Sequence, residues 1–216
     1  MYTLCINTAL ADTQIALIND KKIISEKSWE SKRDEAEKLM PEIEKMINEN
    51  VLTYKDLNHI FVVNGPGSFT SLRVGLSVAN TIAYLLNIPV YGINTIEFLW
   101  NYIPVTNEKT AVILYAGSSG LYLSLNRDTG DYGKEILNIH IDKIQEYLNE
   151  KGIKYLFGEV SESQKELLNG YQFIENKMGF AENCLNILLK NIIPAQKIIR
   201  PVYIKTPDIT LSKKII

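Results

Sequence analysis

The sequence predicts an α/β fold of two lobes, and the order of its predicted elements is the main reason. The first half reads as three strands, a helix, a strand, a helix, a strand and a helix, and the second half repeats this βββαβαβα order. A polar stretch with a proline, residues 104–109, lies between the halves. We therefore expect one lobe over residues 1–104 and a second over residues 105–216.

The elements of the first half follow from local patterns. β-Branched and alternating runs bounded by polar turns predict strands, and apolar residues at three- and four-residue spacing predict helices. Pro41 lacks an N–H group, so we expect a kink or an irregular first turn in the first helix. The predicted strands are 2–7, 13–18, 22–29, 59–64 and 89–93, and the predicted helices are 34–48, 70–86 and 95–102.

The second half gives the same series of elements without sequence identity to the first. Ser161 is suited to cap a helix that runs to Leu168. The predicted strands are 110–116, 120–126, 134–139, 153–157 and 171–174, and the predicted helices are 141–151, 161–168 and 180–191. Two α/β lobes in this order are typical of the actin/sugar-kinase/Hsp70 class, whose members carry ligands in the cleft between the lobes.

Composition and charge limit the possible functions. The chain is 46% apolar and 22% charged, as is ordinary for a globular protein, and its net charge of −2 gives no overall attraction to nucleic acid or anionic lipid. Cys5 and Cys184 fit two buried thiols in a reducing compartment. Residues 1–5 lack a signal-peptide pattern, and no run approaches the roughly 20 apolar residues of a membrane span. We expect a cytoplasmic protein without membrane contact.

The two long helices of the first half carry apolar stripes that predict a partner surface. The second is apolar nearly all round, more than one sheet face covers, and Gly75, Ala79 and Ala83 recur at a spacing that admits another backbone. Packing of both helices on their own sheet would give the same pattern, so that alternative stays open. The predicted interface residues are Leu39, Ile43, Met46, Ile47, Leu72, Gly75, Leu76, Ala79, Ile82, Ala83 and Leu86.

The glycine-rich loop before the second helix is a candidate ligand or partner site. It joins a strand to a helix N-terminus, where free N–H groups favour anions, and its candidate residues are Gly65, Gly67, Ser68, Thr70 and Arg73. The serine or the threonine is suited to cap the helix. The loop lacks the Gly-Lys-Ser/Thr ending of a P-loop, so nucleotide binding does not follow from it. A purely structural turn is the alternative.

Catalytic residues are missing from the expected places. Enzymes of this fold class hold Mg²⁺-nucleotide with an acidic residue at the end of the first strand of each lobe, where this chain has Asn7 and Tyr115. Neither side chain balances the charge of a metal as a carboxylate does. His59 and His140 lie far apart in the sequence, and no G-x-S-x-G motif is present. We expect no metal site, no cofactor and no independent catalytic activity.

Three segments carry a resemblance to one protein family. Residues 65–75, GPGSFTSLRVG, closely resemble the GPGSFTGLRxG signature of the TsaB (YeaZ) family and depart from it at Ser71. Residues 37–41, EKLMP, look like the family's E-x-L-L/M-P element, and residues 201–205, PVYIK, are similar to its PVYLR segment. Other departures are Asn7, Glu35 in place of a frequent histidine, and residues 115–117, YAG, in place of Asp-Ala-Arg.

The resemblance implies an accessory role in making threonylcarbamoyladenosine in tRNA. Members of this family dock through their first two helices on a catalytic homologue of the TsaD type, and a TsaE-type ATPase joins the assembly. In isolation we expect a homodimer, and we expect tRNA contact mainly through the complex. The alternative is an autonomous ATP-dependent phosphotransferase or ATPase of the same fold; a peptidase has no support in the residues.

The last twenty residues carry a local excess of positive charge. Such a tail can touch RNA phosphates or an acidic partner, although a solvated tail is the more common outcome. Tyr203 is predicted to anchor the segment through a buried ring and a hydrogen-bonded hydroxyl. The cations are Lys197, Arg200, Lys205, Lys213 and Lys214, against the single acid Asp208.

Overall fold

Two five-stranded sheets, one built from each half of the chain, form the framework of the described protein. The fold is taken from a computed structural model of the 216-residue chain. The structure describes residues 1–103, 109–117, 120–125, 136–190 and 193–204. Residues 104–108 between the predicted lobes, residues 126 and 134–135 of two predicted strands, residue 191 of the last predicted helix and the tail from Lys205 onward lie outside these ranges.

The first half contains the predicted elements in the predicted order. Its strands are β1 (Tyr2–Asn7), β2 (Asp12–Asn19), β3 (Lys22–Glu30), β4 (Leu57–Val63) and β5 (Val90–Ile93). Its helices are α1 (Glu35–Glu49), α2 (Phe69–Leu86) and α3 (Thr95–Trp100), with one 3₁₀ turn at Tyr54–Asp56. The α1 helix runs continuously through Pro41.

The second half repeats that series. Its strands are β6 (Thr110–Tyr115), β7 (Gly120–Leu125), β8 (Leu137–His140), β9 (Tyr155–Glu159) and β10 (Gln172–Phe173). Its helices are α4 (Ile141–Glu150), α5 (Glu162–Leu167) and α6 (Phe180–Lys190). The β9 strand begins later than predicted because Gly152, at φ 61°, ends α4 with a hydrogen bond from the Ile153 N–H to the Leu148 carbonyl.

The strand orders confirm the duplicated two-lobed α/β fold. The first sheet has the order β3-β2-β1-β4-β5, and the second has β8-β7-β6-β9-β10, which is the same arrangement in the same sequence order. In both sheets the first three strands pair antiparallel, and the fourth pairs parallel with the first. Because β1, β4 and β6 are central, their side chains are buried almost throughout, and the central strand β9 buries Leu156 and Phe157.

The last described helix, α6, packs mainly on the first sheet although it belongs to the second half of the sequence. It contacts β2 and β3, and the Asn183 side-chain amide donates to the Phe98 carbonyl at 3.0 Å. The Cys184 thiol lies beside Cys5 of β1, and burial raises the pKa of the Cys184 thiol well above its usual range. Two thiols that the sequence assigns to separate lobes are therefore neighbours.

A segment after α6, residues 193–204, crosses the first lobe; we call it the strap. It pairs with the edge strand β5: the Val90 N–H donates to the Gln196 carbonyl at 3.1 Å, and the Gln196 N–H donates to the Val90 carbonyl at 2.9 Å. The Asn80 side chain of α2 bonds both backbone groups of Ile199, at 2.9 and 2.8 Å. Ile199 is buried above Gly92, where any β-carbon would lie 2.8 Å from its Cδ1 atom.

These contacts make Asn80 the residue that fastens the strap to α2. Asn80→Ala should lower the free energy of unfolding by about 1–3 kcal/mol, because two backbone groups of Ile199 lose their partner. Urea denaturation of the purified protein measures this change. Thr81→Ala is the matched control: Thr81 is the exposed neighbour, and its replacement should be neutral or slightly stabilising through helix propensity. Equal stability of both variants would contradict the fastening role.

Candidate functional site

The structure buries nearly all of the residues predicted to face a partner. Leu39, Ile43, Met46, Ile47, Leu72, Gly75, Leu76, Ala79, Ile82 and Ala83 are buried within the chain itself, and Leu86 is half-buried. The physical reason is that the apolar stripes of α1 and α2 pack on each other, and that both helices also contact the first sheet. These side chains are therefore core residues, as the alternative interpretation of the pattern allowed.

The small-residue stripe of α2 serves the same internal packing. A β-carbon at Gly75 would lie 2.2 Å from the Thr8 hydroxyl oxygen, so the glycine admits the turn after β1 and not a foreign backbone. Ala79, on the same side of α2, is fully buried. By length and composition α2 alone among the described helices would suffice to cross a membrane, a property it shares with core helices of this kind.

A different side of α2 is exposed and apolar. Tyr84 and Leu85 expose 82% and 73% of their surface, and Met40 of α1 exposes 40%. Beside them lies a groove of about 500 Å³ between α1 and α2, whose lining carries no charged side chain. The lining residues are Met40, Tyr54, Ser77, Val78, Thr81, Ile82, Leu85 and Leu86. We call Ser77, Val78, Thr81, Tyr84 and Leu85 the exposed α2 face.

The glycine-rich loop is fixed by close backbone contact. Gly65 has φ 100° and is followed by a cis peptide bond to Pro66. A β-carbon at Gly67 would lie 2.2 Å from the Ala9 carbonyl oxygen, and that carbonyl accepts a hydrogen bond from the Ser68 N–H at 3.1 Å. These contacts require glycine for structural reasons. The loop is therefore held against the turn that follows β1.

Neither predicted capping side chain caps α2. Ser68 occupies the N-cap position without a side-chain bond to the helix backbone, and its hydroxyl pairs with that of Ser71 at 3.0 Å. Thr70 lies exposed in the first turn. The departure from the family signature at Ser71 thus supplies a hydroxyl partner that a glycine would not.

Arg73 takes part in a stack of three side chains at the end of the loop. Its guanidinium lies 3.8 Å from the centre of the Phe69 ring, and its Nε donates to the Tyr203 hydroxyl at 3.0 Å. The Phe69 and Tyr203 rings are 5.3 Å apart. The predicted hydrogen bond of the Tyr203 hydroxyl is confirmed, but the ring is exposed, because it rests on Phe69 at the surface.

The loop, the strap and the second lobe enclose a cleft of about 780 Å³. Glu159, at the carboxyl end of β9, reaches across it and accepts a hydrogen bond from the Ala11 N–H at 2.7 Å. Arg33 is an exposed cation on the wall. Other lining residues are Ala9, Leu10, Ser31, Pro66, Gly67, Ser68, Phe69, Leu114, Tyr115, Tyr122, Val202 and Tyr203.

Sequence reasoning missed Glu159, although a signal for it was present. The residue ends an apolar strand, and the carboxyl ends of strands are where α/β folds place functional side chains. Burial raises the pKa of Glu159, repulsion from Asp12 raises it further, and the hydrogen bond from Ala11 opposes both. Burying the charged carboxylate therefore costs free energy, and its hydrogen bond to Ala11 joins the two lobes.

The two positions expected to hold acidic residues have other roles. Asn7 is buried; its Oδ1 accepts from the Ala9 N–H at 3.0 Å, and its Nδ2 donates to the Gln14 side chain at 2.9 Å. Tyr115 is half-exposed in the cleft. The Asn7 amide is therefore used up in holding the turn after β1.

The histidines lie apart in the fold as well. His59 rests edge-on against the Tyr91 ring, and burial lowers its pKa. His140 caps α4, where its Nδ1 accepts from the Asp142 N–H at 3.4 Å. Within the described ranges, no three His, Cys, Asp or Glu side chains come together. The described cleft offers binding groups, but no nucleophile paired with a histidine base.

The raised pKa of Glu159 predicts a pH dependence. Because the fold favours the protonated carboxyl, this group's stabilising contribution is complete below its unfolded pKa and is lost as the pH rises through its folded pKa. Glu159→Gln keeps an acceptor for Ala11 without the charge. The Tm of the variant minus that of the wild type should therefore increase as the pH rises from 4 to 7. Thermal melts of both proteins measure this difference. The exposed Glu166→Gln variant should show no such trend, and equal trends in both would refute the assignment.

Comparisons with known proteins agree with this fold. The profile of the family described as "TsaD: tRNA N6-adenosine threonylcarbamoyltransferase" matches residues 22–189. The TsaB protein of Buchnera aphidicola subsp. Schizaphis graminum, named as a tRNA threonylcarbamoyladenosine biosynthesis protein, is 33% identical over 96 residues, covering 44% of this chain and 45% of that protein. The tRNA N6-adenosine threonylcarbamoyltransferase of Clostridioides difficile is 37% identical over 93 residues, covering 42% and 28%.

A solved structure covers far more of the chain. YeaZ from Pseudomonas aeruginosa superimposes with a TM-score of 0.70 at 15% identity, over 94% of this chain and 99% of that one. The sequence match, in contrast, spans less than half the length of each of the two curated relatives. At such low identity the superposition supports the fold alone. The 22–189 profile match shows that the chain belongs to the TsaD-related family, and within that family it is similar to the TsaB (YeaZ) proteins.

Proposed function

We propose that this chain is a non-catalytic subunit of the cytoplasmic complex that forms threonylcarbamoyladenosine in tRNA. In this proposal the exposed α2 face and the groove beside it dock on a catalytic homologue of the TsaD type and activate it. A TsaE-type ATPase joins the complex, and tRNA is bound mainly by the assembly. The family membership supports the process, and the exposed apolar side of α2 supports the docking role.

The exposed α2 face is the single observation that carries the proposal. Tyr84 and Leu85 are large apolar side chains left in water at the end of a long helix, next to an uncharged groove. Covering such a side chain stabilises an interface by about 1.5–3 kcal/mol. Large exposed apolar patches on soluble proteins mark interaction sites. A partner of homologous fold would offer equivalent helices, and a second copy of this chain would occupy the face when that partner is absent.

The cleft supports an accessory role more than a catalytic one. The amide of Asn7 is fully buried and held by Ala9 and Gln14, so it does not face a ligand in the cleft. Glu159 places a carboxylate on the cleft wall, but it is engaged by the Ala11 N–H. Activation of a homologue requires neither group to perform chemistry.

The size of the cleft favours one alternative, an autonomous ATP-dependent phosphotransferase or ATPase. A cavity of about 780 Å³ bordered by Arg33 and Glu159 has room for a nucleotide. Calorimetry of the isolated protein with ATP and Mg²⁺ separates the two proposals. An accessory subunit should show no saturable heat, whereas tight Mg²⁺-dependent binding would favour the enzyme.

The docking proposal predicts that Leu85→Arg abolishes binding of the catalytic homologue. A guanidinium in the centre of the apolar contact would lose water without gaining a partner, while the free subunit keeps its fold because Leu85 is exposed. Co-purification of the two subunits, with Tm as the check on folding, measures the effect. Leu167→Arg is the matched control, since Leu167 lies half-exposed on α5 of the second lobe.

Unchanged co-purification of the Leu85→Arg variant would refute the proposed face. The substitutions Ala79→Arg and Ala83→Arg are unsuitable for this test. Both alanines are buried, and a buried charge at either position would unfold the lobe.

A further inference from the structure

We propose that the strap forms the second wall of the docking face and binds carboxylates of the partner subunit. This inference rests on the proposed docking role of the exposed α2 face, and it adds a charged contact to an otherwise apolar surface. The occupant is the catalytic homologue. The strap would thus add a third element to a docking surface that the sequence placed on α1 and α2 alone.

The position of the strap follows from its contacts along α2. Arg73 and Asn80 are seven residues apart and therefore project from the same side of the helix, where they bond Tyr203 and Ile199. The groove on the other side is bordered by Val78 and Ile82 together with α1. The strap and α1 consequently flank α2 on opposite sides.

The exposed residues of α2 lie between these two flanks. At 100° per residue, Tyr84 and Ser77 come next to Asn80 on the strap side, and Leu85 and Val78 come next to α1. A partner that covers both Tyr84 and Leu85 must therefore reach the strap. Ile198 extends the apolar surface on that side, because it is 59% exposed while its neighbour Ile199 is turned into the core.

The charges on the two flanks differ in sign. No residue between Arg73 and Glu97 is charged, so α2 carries a single cation and no acid. The described strap adds Lys197 and Arg200, both exposed, and it contains no acidic residue. No ion pair involving any of these three cations occurs within the described part of the chain.

The α1 flank, in contrast, exposes carboxylates. Glu37 and Glu44 lie on its surface. Burial raises the pKa of Tyr54 in the groove, and the negative charge of Glu44 raises it further. The two exposed lysines of α1 are each paired with a carboxylate four residues away. The docking face is therefore apolar in its centre, basic along the strap and mainly acidic along α1. A partner that matches this pattern presents carboxylates to Lys197 and Arg200, since like charges across an interface are costly.

RNA is the other polyanion that a basic segment could bind. Two observations favour a protein: the cations border an exposed apolar face that RNA does not cover well, and the chain as a whole is negatively charged. Rim charges of this kind mainly increase the association rate and the specificity of a complex.

The test is the affinity of this chain for its catalytic homologue at 50 mM and at 500 mM NaCl. The Debye length is about 14 Å at the lower and about 4 Å at the higher salt concentration. The double variant Lys197→Ala, Arg200→Ala should bind roughly tenfold more weakly at low salt, and the difference should shrink at high salt. Lys197→Arg, Arg200→Lys keeps both charges and should bind like the wild type. Lys143→Ala, Lys154→Ala removes two exposed cations from the second lobe and is the matched control.

The outcomes separate this inference from the docking proposal. Normal affinity of the strap variant, while Leu85→Arg abolishes binding, would overturn the strap contact and leave the docking face intact. Loss of tRNA retention by the strap variant at unchanged subunit affinity would overturn it in favour of RNA. Normal binding by Leu85→Arg would overturn the docking proposal itself, and the strap contact with it.

Discussion

The close packing of α2 on the turn after β1 is the constraint on which the rest of the structure depends. Gly67 and Gly75 leave no room for a β-carbon against Ala9 and Thr8, at 2.2 Å in each case. Protein interiors have no slack to absorb such an overlap. This contact fixes the axis of α2, and through it the glycine-rich loop, one wall of the cleft and the direction of the exposed α2 face.

The lobes are joined by more than the chain that runs between them. The α6 helix and the strap, both from the second half of the sequence, complete the first lobe by covering β2, β3 and the edge of β5. Edge strands expose unpaired backbone N–H and C=O groups, which can pair with another chain. The strap pairs with part of β5 and so reduces the number of its unpaired groups. The same crossing carries Tyr203 to the cleft, so the end of the described chain and the loop before α2 are held together.

The cleft shows how this fold uses polar side chains to hold its own structure. Where an acidic side chain would manage a nucleotide, Asn7 ties down a turn, and the remaining carboxylate, Glu159, bridges the lobes to a backbone N–H. Both groups are used for structure. The apolar side of α2, in contrast, leaves Tyr84 and Leu85 uncovered within this chain, and for this reason the docking role is proposed for the helix.

The sequence alone determined the fold class, the order of the elements and the family, because each depends on local patterning. Strand alternation, helical periodicity and the residues of the GPGSFTSLRVG segment are all read over a few neighbouring positions. The sequence also located α1 and α2, the two helices that border the apolar groove. It did not determine which side of α2 is exposed, since a helix that is apolar all round gives no periodicity from which to choose a face.

Only the tertiary structure decided that question, together with the placement of Glu159, α6 and the strap. Gly75 and Ala79 proved to face Thr8 and the core, whereas Tyr84 and Leu85, one turn further on, face water. The contacts of Glu159 with Ala11 and of Asn80 with Ile199 join residues more than one hundred positions apart. Contacts at such separations leave no periodic trace in the sequence, because they depend on how complete elements pack in three dimensions.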